Sequence, residues 1–458
     1  MTASRPPRRP ARLAVLAILV AFLVLPGTAS AAGNVLTPYR DAVSYDANLT
    51  TTTADGRSWA GTETIIMRNA SPGPIDRIWL RLWGNGPKGC TPRAVTVTAL
   101  TGGRKGRLRK DCSALEVLLP AALHPGAHVS LTLTLSITAP QIQDRFGSAE
   151  GIMLFGNALP VVAQHDRSGW RLPLYSTYGE SFVSSWAHFA LTLHHPAALQ
   201  VAASGSTTTT PDPVGGTATT TSEIDARDMF WAIGPMGEVT VTTPRGTVVH
   251  AWSTPEALGD REDAATDASN ALQAIERHLP AYPYPEYDVI VARIAAGGGM
   301  EYPGIVITDG TDDVTRHETG HQWFYGWVGD DEFREPWIDE GLTSFLEYTW
   351  TGLDQPEPTC YRSSELLEKG PTTFATHSMD YWNRHVRQYI VAYDNPVCAL
   401  RDEQRLLGNA GFTRVMRGIV VDHAQGFLSG VELRRAFRRA GGAASDAIWK
   451  RWALAPGG

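Results

Sequence analysis

The residues best suited to do chemistry lie in the segment VTRHETGHQWFYGW, residues 314–327. It contains His317-Glu318-x-x-His321. Side chains four apart share one face of a helix, so both imidazoles can aim at a single ion. Glu318 follows the first histidine and can reach a metal-activated water without ligating the metal, as a general base must. A third ligand is expected in EPWIDEGLTSFLEYTW, where Glu340 follows His321 after eighteen intervening residues. Trp337, Ile338, Leu342, Phe345 and Leu346 around it predict burial, and a buried carboxylate needs a partner. Two nitrogens and one carboxylate suit a single zinc ion, with a fourth position left for water. The chemistry implied is metal-assisted hydrolysis.

These residues need two elements to hold them. Asp312 is the expected N-cap of the first helix, with Asp313 in its first turn. A loop over 328–336 then returns the chain to a second helix carrying Glu340. Upstream, Ala264, Ala268, Ala271, Leu272, Ile275 and Leu279 recur at helical spacing, and Pro280, Pro283 and Pro285 end that helix. Residues 287–293 and 304–308 read as strands. Before about residue 248 the chain reads as β: Thr- and Val-rich runs such as 61–67, 129–137, 189–193 and 239–243 alternate with turn residues. The Thr/Gly/Pro-rich stretch 205–222 reads as a loop or hairpin tip.

The chain has 458 residues, 43% hydrophobic and 19% charged, enough for two or three domains with real cores. Arg5, Arg8, Arg9 and Arg12 precede an apolar run over 13–25, and Ala29-Ser30-Ala31 offers small residues for cleavage, so residues 1–31 are expected to be a secretory signal peptide. Its four arginines leave with it, taking the formal charge from −7 to −11. An acidic, exported chain without a basic run argues against nucleic acid as a partner, and no later segment reads as a membrane span. Export permits disulfides. Of the three ways to pair Cys90, Cys112, Cys360 and Cys398, Cys90–Cys112 and Cys360–Cys398 keep each bridge within one domain.

The motif, its eighteen-residue spacing and the W-x-x-E-G context of Glu340 resemble the gluzincin aminopeptidases, the aminopeptidase N family; thermolysin-like endopeptidases usually place the third ligand one residue further. Gly298-Gly299-Met300-Glu301-Tyr302 resembles the family's G-x-M-E-N strand, which implies substrate contacts at Gly299, Met300 and Glu301, with Glu301 holding the substrate's free α-amino group. Tyr393-Asp394-Asn395-Pro396 stands where the family has Y-E-K-G at a helix start. That implies an oxyanion-stabilising hydroxyl on Tyr393, with Tyr389 as the rival. The runs YGESFVSSWAHFALTLHHP and ARDMFWAIGP are similar to β-domain segments of bacterial members, and Glu180 is the candidate for that domain's substrate contact.

The resemblance therefore implies an α+β multidomain fold: signal peptide 1–31, an all-β saddle-like domain 32–248, and a thermolysin-like, mainly helical catalytic domain 249–458 with a small sheet. It also implies a secreted, monomeric zinc aminopeptidase acting on peptides with a free N-terminus. Three departures stand out. Tyr302 replaces the family's Asn, only fifteen residues separate Glu301 from His317, and Asn395-Pro396 replaces Lys-Gly. The chain also stops soon after the catalytic domain, without the family's large C-terminal helical domain. Two alternatives follow: an open-cleft zinc endopeptidase, or a non-catalytic peptide-binding module.

Overall fold

A computed structural model of the chain describes residues 42–455, apart from 88, 167, 296, 353–357 and 363–373. The expected signal peptide lies outside the described residues. The first half is built on a seven-stranded sheet, whose order across the sheet is Ser206–Pro211, Thr217–Ala226, Ala187–Pro196, Val43–Thr51, Ser58–Arg68, His128–Thr138 and Val95–Thr101. Alternation decides its faces: Val43, Tyr45, Ala47 and Leu49 are buried, while Asp46, Asn48 and Thr50 are exposed. Two four-stranded sheets contribute to the same core, through Ile78, Leu80 and Val117 of one and Phe155, Trp231 and Ile233 of the other. Phe155 stacks on Trp231 at 4.7 Å, and Trp59 meets both edge-on. The Thr-rich stretch is mostly strand: 206–211 and 217–226 form a hairpin with Thr opposite Thr at 208/221 and 209/220, and only 212–216 form the tip. β-Branched threonine suits a pleated surface.

The second half carries a four-stranded sheet, in the order Gly237–Thr242, Val248–Ser253, Glu286–Val291 and Ile305–Thr308. Its first strand hairpins onto its second, so the sheet draws in residues from before 248. Helix α1 (Arg261–Glu276) packs over it through Ala264, Ala268, Leu272 and Ile275, with Asp260 capping its first turn. Then come α2 (Asp312–Gly320), α3 (Trp337–Trp350), the single turn α4 (Met379–Trp382), α5 (Ile390–His423), α6 (Gly430–Gly441) and α7 (Ala443–Arg451). The five apolar residues flanking Glu340 are all buried. Together the halves make a sheet-rich region followed by a helical one.

Two helix starts differ from the sequence reading. Thr311, not Asp312, is the N-cap of α2, and Asp312 turns its carboxylate to the N–H of Asp313. Helix α5 begins at Ile390, so Asp394 and Pro396 lie inside it. Packing explains this: a Cβ on Gly341 would come within 2.3 Å of Pro396 Cβ, so the glycine after Glu340 lets α3 and α5 touch at the proline ring. Helix α5 bends at Gly408, whose φ of 66° is left-handed. Both disulfides form as expected, Cys90–Cys112 and Cys360–Cys398, the second tying 358–362 to α5. No helix among the described residues is long and apolar enough to cross a membrane.

Candidate metal centre

Helix α2 is short, and the motif occupies its end rather than its start: His317 lies in the last turn and His321 is the C-cap. The helical spacing still brings the rings together. Their Nε2 atoms are 3.1 Å apart, and Glu340 Oε2, from the first turn of α3, lies 3.3 Å from one and 3.4 Å from the other. Tetrahedral zinc with bonds of about 2.0–2.1 Å separates neighbouring ligands by roughly 3.3 Å, so the three donors fit that ion. The opposite ring nitrogens are engaged. His317 Nδ1 lies 2.9 Å from Glu347 Oε2, and His321 Nδ1 donates to Phe324 O at 3.0 Å. Such partners fix the tautomer and leave Nε2 free to ligate.

The electrostatics point the same way. Burial opposes a charge on His321, yet Glu340 and Glu301 hold its pKa up at about 9. Burial would likewise raise Glu340, but the two imidazoles take it down to about 2. The site is thus a sink for positive charge.

Glu318 is buried, and its Oε2 has no hydrogen-bond partner among the described residues. Burial first, then the like charges of Glu301 and Glu340, push its pKa up to about 8, in the range of a base working near neutrality. Gly299 makes room for it: a Cβ there would meet Glu318 Cγ at 2.5 Å and Ile307 O at 2.3 Å.

All the sequence-predicted site residues line one cleft of about 420 Å³. Met300 bridges to Ile307 at the edge of the small sheet, and its Sδ accepts from Arg145 Nη1 at 3.0 Å. Glu301 is 5% exposed and approaches His321 and Asp339. Tyr302, in place of the family's Asn, stacks on Phe230 and donates to Asn157 Oδ1 at 2.9 Å. Glu180 enters from the β-rich half, held by Arg145 Nη1; burial pushes it up to about 7 against that guanidinium. The Tyr393 hydroxyl donates to Glu340 Oε1 at 2.5 Å. Tyr389 packs edge-on behind Tyr393, its hydroxyl near Gly179.

Sequence reasoning missed Glu347 and Arg145. Glu347 carried a usable signal, since it falls two helical turns after Glu340 on the same face. Arg145 carried none: its partners Glu180 and Met300 are 35 and 155 residues away.

Residues 264–452 match the Peptidase family M1 domain. The chain is 26% identical to human aminopeptidase N over 200 residues, which is 38% of this chain and 20% of that enzyme. It is 30% identical to aminopeptidase Ey of Gallus gallus over 131 residues, 24% of this chain and 13% of that enzyme. The matches thus span a fifth or less of these relatives' length. Among solved structures, an M1 zinc metallopeptidase mutant from Deinococcus radiodurans bound to a Tyr-Ser-Ala substrate shares the fold with a TM-score of 0.63 at 19% identity, covering 91% of this chain and 96% of that one. A two-domain M1 zinc metallopeptidase mutant bound to L-arginine gives 0.62 at 18% identity, covering 92% and 96%.

Proposed function

We propose that this chain, whose residues 264–452 match the Peptidase family M1 domain, is a member of the aminopeptidase N family and a secreted zinc aminopeptidase removing residues from the free N-termini of peptides. One observation carries this reading: two further buried carboxylates, Glu301 and Glu180, line the same cleft as the three metal ligands. Carboxylates there anchor an ammonium, and an anchored N-terminus brings the first peptide bond to the reacting groups.

His317, His321 and Glu340 would hold the zinc. Bound there, the ion supplies a Lewis acid that acidifies water and polarises the scissile carbonyl. Glu318 takes the proton from the attacking water and returns it to the leaving nitrogen. Tyr393 turns its hydroxyl from Glu340 toward the oxygen that gains charge. Arg145 keeps Glu180 directed into the cleft. Gly299 and Met300 shape the wall beside Glu301.

The arginine-rich start, the apolar run over 13–25 and Ala29-Ser30-Ala31 support export of a chain lacking residues 1–31, and two disulfides suit an oxidising compartment. A β domain 32–248 and a catalytic domain 249–458 describe the division of labour, with the hairpin strand Gly237–Thr242 lent to the catalytic sheet.

The test is a peptide library offered with free and with N-acetylated termini, read by mass spectrometry. Stepwise loss of N-terminal residues from the free peptides alone is expected. Equal cleavage of both sets would leave Glu301 without its role and favour an endopeptidase. No turnover despite bound zinc would favour a peptide-binding module.

A further inference from the structure

A second cluster of charge lies behind the metal centre, on the loop that leads into α3. Asp330, Glu332 and Asp339 each present an oxygen within 4.8 Å of the other two. All three are at most 2% exposed. The cation among them is Arg227, which leaves the end of the strand Thr217–Ala226. Its Nη2 is 2.8 Å from Glu332 Oε1, and its Nη1 is 3.9 Å from Asp330 Oδ1. The same guanidinium donates to Phe182 O at 2.9 Å and lies 4.4 Å over the Tyr325 ring.

That is too little for three carboxylates. Among the described residues no group makes a well-formed hydrogen bond to either oxygen of Asp330 or of Glu332. Asp339 Oδ1 accepts from the N–H of Glu340 at 2.8 Å. With every carboxylate ionised and Arg227 charged, the cluster carries −2. Uncompensated charge is not retained in a dry interior: it pairs, binds a metal or takes up protons.

We propose that Asp330, Glu332 and Asp339 form a second, all-oxygen cation site that holds one calcium ion. Oxygens within 4.8 Å of one another can share an ion at about 2.3–2.6 Å, the calcium range. A set with no nitrogen or sulfur selects a hard ion over zinc. The burial of all three residues disfavours magnesium, which gives up its waters reluctantly. The charge of a divalent ion cancels the surplus of the cluster. Its position gives it a task. Asp330 and Glu332 lie on the loop that follows the His317/His321 segment, and Asp339 precedes Glu340. An ion between them ties the loop to the first turn of α3 and steadies Glu340. Glu301 and His321 face Asp339 from the zinc side, so the two sites are neighbours. In the rival state the carboxyls keep protons, since burial pushes all three well above the usual range.

The zinc-loaded protein, freed of other metals by gel filtration, is equilibrated with calcium chloride and its calcium and zinc are counted by elemental analysis. About one calcium per chain beyond the zinc is expected, with a Kd no weaker than about 10⁻³ M. The Tm should rise by roughly 1–3 °C for each tenfold excess of calcium over its Kd. Terbium in place of calcium should luminesce through Tyr325. Asp330→Asn and Glu332→Gln should lose the calcium and keep the zinc. Asp331→Asn, whose carboxylate pairs with Arg171 at 2.8 Å instead, should keep both. If the two cluster variants do not fold, the wild-type stoichiometry decides alone. Zinc-loaded protein that takes up no calcium and shows an unchanged Tm at about 10 mM calcium overturns the proposal in favour of the protonated cluster. Equal loss of calcium in Asp331→Asn also overturns it.

Discussion

Two buried clusters of charge meet at the first turn of α3, and adjacent residues feed them: Glu340 faces His317 and His321, while Asp339 faces Asp330 and Glu332. They differ in how their donors are supported. Each imidazole in the first has a second partner, Glu347 for one and Phe324 O for the other. The second relies, among the described residues, on one guanidinium, and four of its carboxylate oxygens make no well-formed hydrogen bond there. The difference teaches that burial alone does not define a metal centre. Nitrogen donors oriented from behind select a borderline ion such as zinc, whereas an under-donated oxygen set calls for a hard ion or for protons.

The comparison breaks most sharply at Glu318, the proposed base beside the first cluster. Glu318→Gln should lower kcat on a free-amino peptide by about 10²–10⁴-fold while zinc content, measured by elemental analysis, stays at one per chain. Unchanged kcat would remove Glu318 as the base. The next largest effect tests support rather than ligation. Glu347→Gln should weaken zinc binding by roughly 10–100-fold in a chelator competition, with activity recovered at saturating zinc. An unchanged affinity would mean that His317 needs no carboxylate behind it.

The smallest effect concerns a buried acid that belongs to neither cluster. Asp288, on the strand Glu286–Val291, accepts one hydrogen bond, from Trp252 Nε1 at 2.6 Å. Burial pushes its pKa up to about 7 from an ordinary 3.8, with His250 pulling the other way. A carboxyl raised in the folded state favours the protonated fold. Its contribution to stability is full below pH 3.8 and is lost as pH rises through about 7. Asp288→Asn keeps the acceptor and removes the charge. It should therefore raise stability above pH 7 by about 1–2 kcal/mol and flatten that part of the curve in urea unfolding. A variant that tracks the wild type from pH 5 to 8 would show Asp288 to be charged and accommodated.

Much of the site was legible because its parts are periodic. Two histidines four apart can share a ligand face only on a helix, and the apolar residues around Glu340 announce a buried helix whose carboxylate needs a partner. The β character of runs such as 61–67 and 129–137 was legible from their Thr- and Val-rich composition, whereas the Thr-rich stretch 205–222 read as a loop or hairpin tip and is mostly strand. Helix starts were less legible. Asp312 and Pro396 carry the local preferences of a cap and a first turn, but tertiary contacts moved both boundaries. Pro396 sits inside α5 because Gly341 leaves space for its ring.

The sequence by itself determined the ligand types, the spacing that lets His317, His321 and Glu340 converge, and the division into a β-rich and a helical half. These are local properties, set by helix and strand geometry over a few turns. Only the tertiary structure decided that Arg145 and Glu180 close the cleft from the β-rich half, that Tyr393 rather than Tyr389 touches Glu340, and that Arg227 meets the carboxylates of Asp330 and Glu332 behind the candidate zinc ligands. Those contacts join residues far apart in the chain, and no local pattern encodes which buried charge will meet which.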